Sequence, residues 1–460
     1  MDTTTIDRRD FIKSSLYAPL AANMAFNSFT PDQSNYPSDT DFDIDRVDSN
    51  PKIKLARDIA LKLLQPSEKH YKHGMELHKN SLVIEPYGFA PFSAFDGDHV
   101  KKLIETGGSD EEIIFAMEDM RRTRCITNKT EREEITQAWQ ASGVDCVFQN
   151  AGEESNTIEI ILQRLGWFTF ITDMLSDFLF KAVTPGDITK AEQSNRRCLY
   201  FSSNGVPLPQ NWRSAETELL YIRLFFQLGI RMMHLTYNRQ NMIGSGCGEP
   251  DDGGLTDFGR VVVDTMNNEG IIVDISHSGW KTSLEAAEVS RKPIVASHTI
   301  CHALNPHYRG KPDNVMKAIA DRNGLIGICV IPRYLGGTGD IRALLDHIDY
   351  TIKKVGVDHV GIATDVNYTS QNFGKQYAKL PEDWRRNTRA KWEQLWPPFE
   401  YTETEEMELS TAWTNWPLFT VGLVQRGYSD EDIQKIIGGN ALRVARDVFP
   451  DNLNKHSDSK

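Results

Sequence analysis

Two apolar runs of this chain end in the same dipeptide: Ile271-Ile272-Val273-Asp274-Ile275-Ser276-His277 and Pro293-Ile294-Val295-Ala296-Ser297-His298. A buried parallel strand that delivers a histidine at its C-terminal end is how an α/β barrel supplies metal ligands to a site at its mouth. Although a lone histidine is more often structural, two at equivalent strand ends point to a metal site. A third such run, Val360-Gly361-Ile362-Ala363-Thr364-Asp365, finishes in an aspartate. A carboxylate there either holds and deprotonates a water or caps the next helix. Arg309 lies eleven residues (309 − 298) beyond His298. An arginine at that mouth clamps a carboxylate bidentately, which selects substrates with a free C-terminus, unless it merely faces solvent. The set points to metal-assisted hydrolysis, with His277 and His298 as metal ligands, Asp365 as proton carrier and Arg309 as substrate anchor.

The elements that must position these groups follow from the spacing. His277 and His298 are 21 residues apart (298 − 277). That is enough for a loop, one helix and the next strand, and the alanine-rich Thr282-Ser283-Leu284-Glu285-Ala286-Ala287-Glu288 supplies a right-handed crossover helix. Strand-like runs at 81–85, 144–149, 198–202, 231–236, 271–275, 294–297, 325–330 and 360–364 alternate with helical segments at 109–122, 131–142, 156–165, 215–228, 259–269, 315–322 and 341–355. A last helix is expected over 429–449, opened by Ser429 with Asp432 three positions on, an acidic capping box. Eight strand–helix units make a (β/α)8 TIM barrel with insertions.

The expected organisation is a twin-arginine signal over 1–29, a linker over 30–52, a single barrel domain over 53–449 with insertions near 86–130 and 367–416, and a polar tail over 450–460. The second insertion carries Trp384, Trp392, Trp396, Trp413 and Trp416. It follows the last strand, so it reads as a lid over the mouth or as an amphipathic pair shielding the flank. The signal rests on Asp7-Arg8-Arg9-Asp10-Phe11-Ile12-Lys13 and the mildly apolar stretch after it. It implies export by the Tat route to the periplasm; the alternative is a basic start on a cytoplasmic protein.

Mean hydropathy of −0.44 and the lack of a bilayer-length apolar run exclude a membrane-spanning fold. The net charge of −13, with basic residues scattered, argues against nucleic acid and for a small-molecule partner. A homodimer is compatible with the chain. Six cysteines show no CxxC, and Cys146, Cys198 and Cys329 sit in apolar runs as buried thiols.

Taken in order, Leu228 to Thr236, Gly254-Leu255-Thr256-Asp257-Phe258-Gly259, Val273 to His277, Ser297-His298, Arg309 to Asp313, Gly361 to Asp365 and Gly439-Asn440-Ala441-Leu442-Arg443-Val444 resemble the membrane (renal) dipeptidase family, peptidase family M19. The resemblance implies a barrel of the metal-dependent hydrolase type that cleaves dipeptides with two bridged zinc ions. It also implies that His277 and His298 bind one zinc, Arg309 holds the substrate carboxylate and Asp365 handles the proton.

The chain departs from the family where the other ligands should be. For the family's aspartate-glycine-histidine-x-aspartate it reads Glu85-Pro86-Tyr87-Gly88-Phe89, so Tyr87 and Phe89 replace two ligands. Asn204 stands near the bridging glutamate and Tyr237 at the substrate-contacting histidine. One ion, zinc or another divalent metal, is therefore expected rather than two, with Asp365 able to serve as a third ligand. Asp96-Gly97-Asp98-His99 resembles a displaced copy of the lost motif, or a solvated acidic loop. The leading expectation is a hydrolase of dipeptides or a related small amide. The alternatives are a mononuclear hydrolase of another amide, ester or lactone, and a catalytically inactive ligand-binding barrel.

Overall fold

The structure, a computed structural model, describes residues 50–152, 157–382, 384, 396–450 and 453. The expected signal, Trp392, nearly all of the linker and most of the tail lie outside the described residues. Within them the strands are β1 (Ile84–Gly88), β2 (Cys146–Asn150), β3 (Leu179–Lys181), β4 (Arg197–Ser203), β5 (Ile230–His234), β6 (Ile272–Asp274), β7 (Ile294–Cys301), β8 (Gly310–Lys311), β9 (Leu325–Ile328) and β10 (Val360–Ile362). Eight of them run parallel in the order β1-β2-β4-β5-β6-β7-β9-β10, with β3 paired to β4 and β8 to β7. This is the expected eight-stranded parallel barrel with its helices, nearly closed. No helix among the described residues is long and apolar enough to cross a membrane.

Local chemistry sets the boundaries. The helix Lys129–Ser142 ends on Gly143 (φ 64) and the helix Asp257–Glu269 on Gly270 (φ 82), each left-handed and each just before a strand of the barrel. Only glycine reaches that backbone region without a Cβ penalty. The strands that follow, Cys146–Asn150 and Ile272–Asp274, are buried on both faces, as parallel strands are. Cys146, Cys198 and Cys329 are buried free thiols.

One end of the barrel is plugged and the other carries the site. Ile84, Cys146 and Leu325, each the first residue of its strand, share a core with Ala441, Leu442, Val444, Ala445 and Val448 of the helix Asn440–Val448. The expected single helix over 429–449 is in fact Asp430–Gln434 and Asn440–Val448 joined by a π turn, Lys435–Gly439, although Ser429 caps it through the Asp432 amide (3.2 Å) as anticipated. The turn lets Gly438 approach the chain before β1, where a Cβ would sit 2.2 Å from the Leu82 carbonyl oxygen.

The seam between β1 and β10 is held by a side chain rather than a strand ladder. Glu85 Oε1 accepts from the Thr364 amide (2.7 Å) and hydroxyl, and its Oε2 accepts from the indoles of Trp413 (2.6 Å) and Trp416 (3.1 Å). Burial pushes this carboxyl up to about 7 despite its four donors. Trp413 and Trp416 are thus core groups and not part of a lid, because each buried indole N–H finds its acceptor at the seam. Asp96-Gly97-Asp98-His99 opens the helix Gly97–Glu105, where Asp96 Oδ1 accepts from the amides of Asp98 (3.0 Å) and His99 (3.2 Å). The acidic loop is a helix cap and supplies no ligand to the mouth.

Candidate metal centre

The repeated Ser-His dipeptides lock each other in place. The Ser276 hydroxyl donates to Asp274 Oδ1 (2.7 Å) and accepts from the His298 amide (3.0 Å). It also lies 3.1 Å from Ser297 Oγ, which is 2.9 Å from His298 Nδ1. Both imidazoles are buried, and their Nε2 atoms approach to 2.9 Å. Asn238 Oδ1 lies 2.7 Å from His277 Nδ1. Because a carbonyl oxygen only accepts, Nδ1 carries the proton and Nε2 keeps its lone pair. Burial first, then the Arg309 cation, hold both histidines well below the ordinary histidine range, so they are neutral and available as ligands.

Asp365 stands across from them, its Oδ2 4.0 Å from His298 Nε2. Its φ of 57° is left-handed, a conformation that favours glycine and that aspartate tolerates better than most. Arg309 is 1% exposed. It donates to the Ser276 carbonyl and, at 3.2 Å, to that of His298, and so ties the two strand ends together. Its Nε has no hydrogen-bond partner, and the contacts its terminal nitrogens make are to backbone carbonyls. Lys311 beside it is also buried, on the Ser278 carbonyl (2.6 Å) and Ser283 hydroxyl (3.1 Å). Neither cation has a carboxylate in direct contact among the described residues, although Asp365 acts on Arg309, and Asp274 and Asp252 on Lys311, at longer range. An anionic group at the mouth would offset the remaining cost of burying them.

The positions where family ligands are missing are packed and bonded. Tyr87 donates to Asn204 Oδ1 (2.6 Å), so the two replacements satisfy each other. The Tyr87 ring lies flat on His298 (centroids 3.8 Å apart, planes at 17°), and Tyr237 lies on His277 (4.1 Å, 21°). Phe89 meets Tyr87 edge-on at 5.9 Å. None of these offers the imidazole or carboxylate that an ion beside His298 on that side would need.

Donors converge elsewhere. Among the described residues, one group of three has ligand atoms all within 4.8 Å of one another: His234, Asp274 and His298, all buried. His234 ends β5 and Asp274 ends β6, directly opposed in register. Burial would raise the Asp274 carboxyl, but His234 beside it and its further partners hold it well below the usual carboxylate range. Two imidazoles and one carboxylate are a chemically fitting donor set for a divalent metal. His277 and Asp365 border this group without belonging to it. Sequence reasoning passed over His234, Asp274 and Asn238. The readable signal was a charged or ionisable residue inside an otherwise apolar strand, as in Met232-Met233-His234 and Ile272-Val273-Asp274.

A barrel of eight parallel strands with histidines and carboxylates at the strand ends defines the class of metal-dependent hydrolase barrels. Within that class, the model of the membrane dipeptidase family, peptidase family M19, matches residues 126–380, more than half of the chain, and the chain belongs to this family. It is 26% identical over 291 residues to dipeptidase tcpJ of Claviceps purpurea, covering 62% of this chain and 59% of that protein. It is 28% identical over 233 residues to dipeptidase aclJ of Aspergillus oryzae, covering 49% of this chain and 47% of that one. The chain thus spans about half to three fifths of the length of these two curated relatives. Among solved structures, an amidohydrolase from Pseudomonas aeruginosa aligns with TM-score 0.57 at 24% identity over 82% of this chain and 99% of that one. The probable dipeptidase PvdM from the same organism aligns with TM-score 0.58 at 19% identity over 83% and 99%. These two likenesses carry the fold.

Proposed function

We propose that this protein is a metal-dependent hydrolase of dipeptides or a related small amide, working with one divalent ion, zinc in the first instance. The observation that carries the reading is the approach of two neutral imidazole Nε2 atoms, His277 and His298, to 2.9 Å at the ends of adjacent barrel strands. A single ion is favoured because Tyr87 and Asn204 bond to each other where a second would sit. A divalent ion bound at His298 supplies Lewis acidity to the amide carbonyl and makes a water easier to deprotonate.

The chain's own groups do the rest. Asp365, 4.0 Å from His298, takes the proton of the attacking water and hands it to the leaving amine. Arg309, buried without a carboxylate partner among the described residues, receives the substrate's free carboxylate at Nε, with Lys311 adding charge. Tyr87 and Tyr237, flat on the two histidines, exclude water and restrict the imidazoles to one orientation. The second reading, a mononuclear hydrolase of another amide, ester or lactone, is favoured by Tyr237 standing where the family's substrate-contacting histidine is expected.

The test measures zinc, manganese and iron in protein purified without added metal, then hydrolysis of a dipeptide panel by wild type and His298→Ala. One ion per chain, with turnover that falls at least about 100-fold in the variant, is expected. One ion with no dipeptide turnover moves the assignment to the second reading, and neither ion nor turnover leaves a ligand-binding barrel. Export by the Tat route to the periplasm belongs to the same proposal, supported by Arg8-Arg9. Arg8→Lys with Arg9→Lys is expected to leave the protein in the cytoplasm on fractionation, and unchanged export overturns that part.

A further inference from the structure

His234 is a fully buried imidazole with neither ring nitrogen hydrogen-bonded. Such groups are rare in folded proteins, since an unpaired buried polar atom costs about 1–3 kcal/mol, and each one calls for an explanation such as a bound ion. Its Nε2 is 2.6 Å from Asp274 Oδ2, close enough to attract strongly, yet the pair is not aligned as a hydrogen bond. Asp274 is oriented by its other oxygen. Oδ1 accepts from the Ser276 amide (2.9 Å), the Ser276 hydroxyl (2.7 Å) and the Ser297 amide (3.1 Å), which leaves Oδ2 without a hydrogen-bond donor and turned toward His234.

The third member, His298, closes the group within 4.8 Å. Its neighbour Ser297 lies 2.9 Å from Nδ1, and in the tautomer where Nδ1 donates to that hydroxyl Nε2 is left as a lone pair. The Tyr87 ring spans both histidines, at 5.3 Å from His234 and 3.8 Å from His298, and covers the space between them from one side. A cation among these three donors would satisfy His234 and Asp274 Oδ2 together.

We propose that His234, Asp274 and His298 are the ligands of the protein's divalent ion, which therefore lies deeper in the barrel than the strand-end pair His277–His298. This rests on the metal-dependent reading above and names the side chains that carry its ion. His277 is then not a required ligand: it borders the ion through its 2.9 Å approach to His298 and is free to contact substrate. Along β6 the carboxylate ligand comes three residues before His277 (277 − 274), so the site has moved inward on the same strands. The lost ligands at Tyr87 and Phe89 are replaced from β5, whose His234 lies 5.3 Å from the Tyr87 ring.

The test titrates chelator-treated full-length protein with cobalt(II), following its absorption and the metal bound per chain, in wild type, His234→Gln, Asp274→Asn and His277→Gln, with circular dichroism as the folding check. Wild type is expected to bind one cobalt. His234→Gln and Asp274→Asn are expected to weaken binding about 100-fold or more, and His277→Gln no more than about tenfold. Should His234→Gln fail to fold, His234→Phe keeps a ring against Tyr87 and is read the same way. Cobalt held normally by His234→Gln and lost from His277→Gln overturns the inference while the hydrolase reading stands. Wild type that binds no cobalt, zinc or iron removes both.

Discussion

Asn238 decides which nitrogen of His277 faces the mouth. Its Oδ1 lies 2.7 Å from His277 Nδ1 and accepts the Cys247 thiol at 3.3 Å. Asn238 itself sits at φ 61, so replacement by alanine would mix backbone strain with loss of the acceptor. Asn238→Gly removes the acceptor at no strain, and Asn238→Asp keeps one. The glycine variant is expected to lower kcat for dipeptide hydrolysis about 10–100-fold with the fold intact, as losing an orienting partner of an active-site imidazole does, and the aspartate variant to recover most of it. Equal kcat in wild type and the glycine variant would show that His277 needs no orienting partner. With Nδ1 bonded to Asn238 Oδ1, His277 presents its Nε2 lone pair to the mouth.

At the scale of elements, what could be read from the chain was whatever repeats. The strand runs with β-branched residues, and the left-handed glycines before them, fall where the apolar periodicity puts them, and β6 and β7 deliver Ser-His to the mouth as their spacing requires. What could not be read depends on contacts between distant segments. Glu85 looked like the first residue of a degenerate ligand motif, but its role at the seam is set by Thr364, Trp413 and Trp416, about 280 to 330 positions away. Two tryptophans assigned to a lid became core for the same reason. The π turn at Lys435–Gly439 arises from the close approach of Gly438 to Leu82, which no local pattern encodes. His234 and Asp274 were visible as polar residues in apolar strands, yet only the register between β5 and β6 shows that they oppose each other.

Across the whole molecule, His78 joins the outer helices and makes the domain acid-sensitive in a definable window. It lies on the helix Glu68–Lys79, its Nε2 on the Ser142 carbonyl (2.9 Å) and its Nδ1 on the Thr420 hydroxyl (2.8 Å) of the helix Trp416–Arg426. Both contacts suit the neutral ring, with Nε2 donating and Nδ1 accepting. Burial lowers its pKa to about 4, with Arg57 and Arg197 adding to the effect against the Ser142 carbonyl. A histidine depressed on folding binds fewer protons in the native state, so its stabilisation is present above the ordinary 6.5 and is lost as pH falls toward 4. The gap corresponds to about 3 kcal/mol in full and about 2 kcal/mol by pH 5. Asp145, paired with Arg197 at 2.8 Å and pushed up by burial to about 6, works in the opposite sense, as does Glu85 at about 7. Both lose protons as pH rises through those values, which costs the native state. Wild type alone would therefore show a blunted slope, and the informative quantity is the difference from His78→Gln, which keeps a donor and an acceptor but does not titrate. Urea unfolding at pH 7.5 and 5 is expected to show wild type losing about 2 kcal/mol more than the variant over that interval, and parallel losses would refute the assignment.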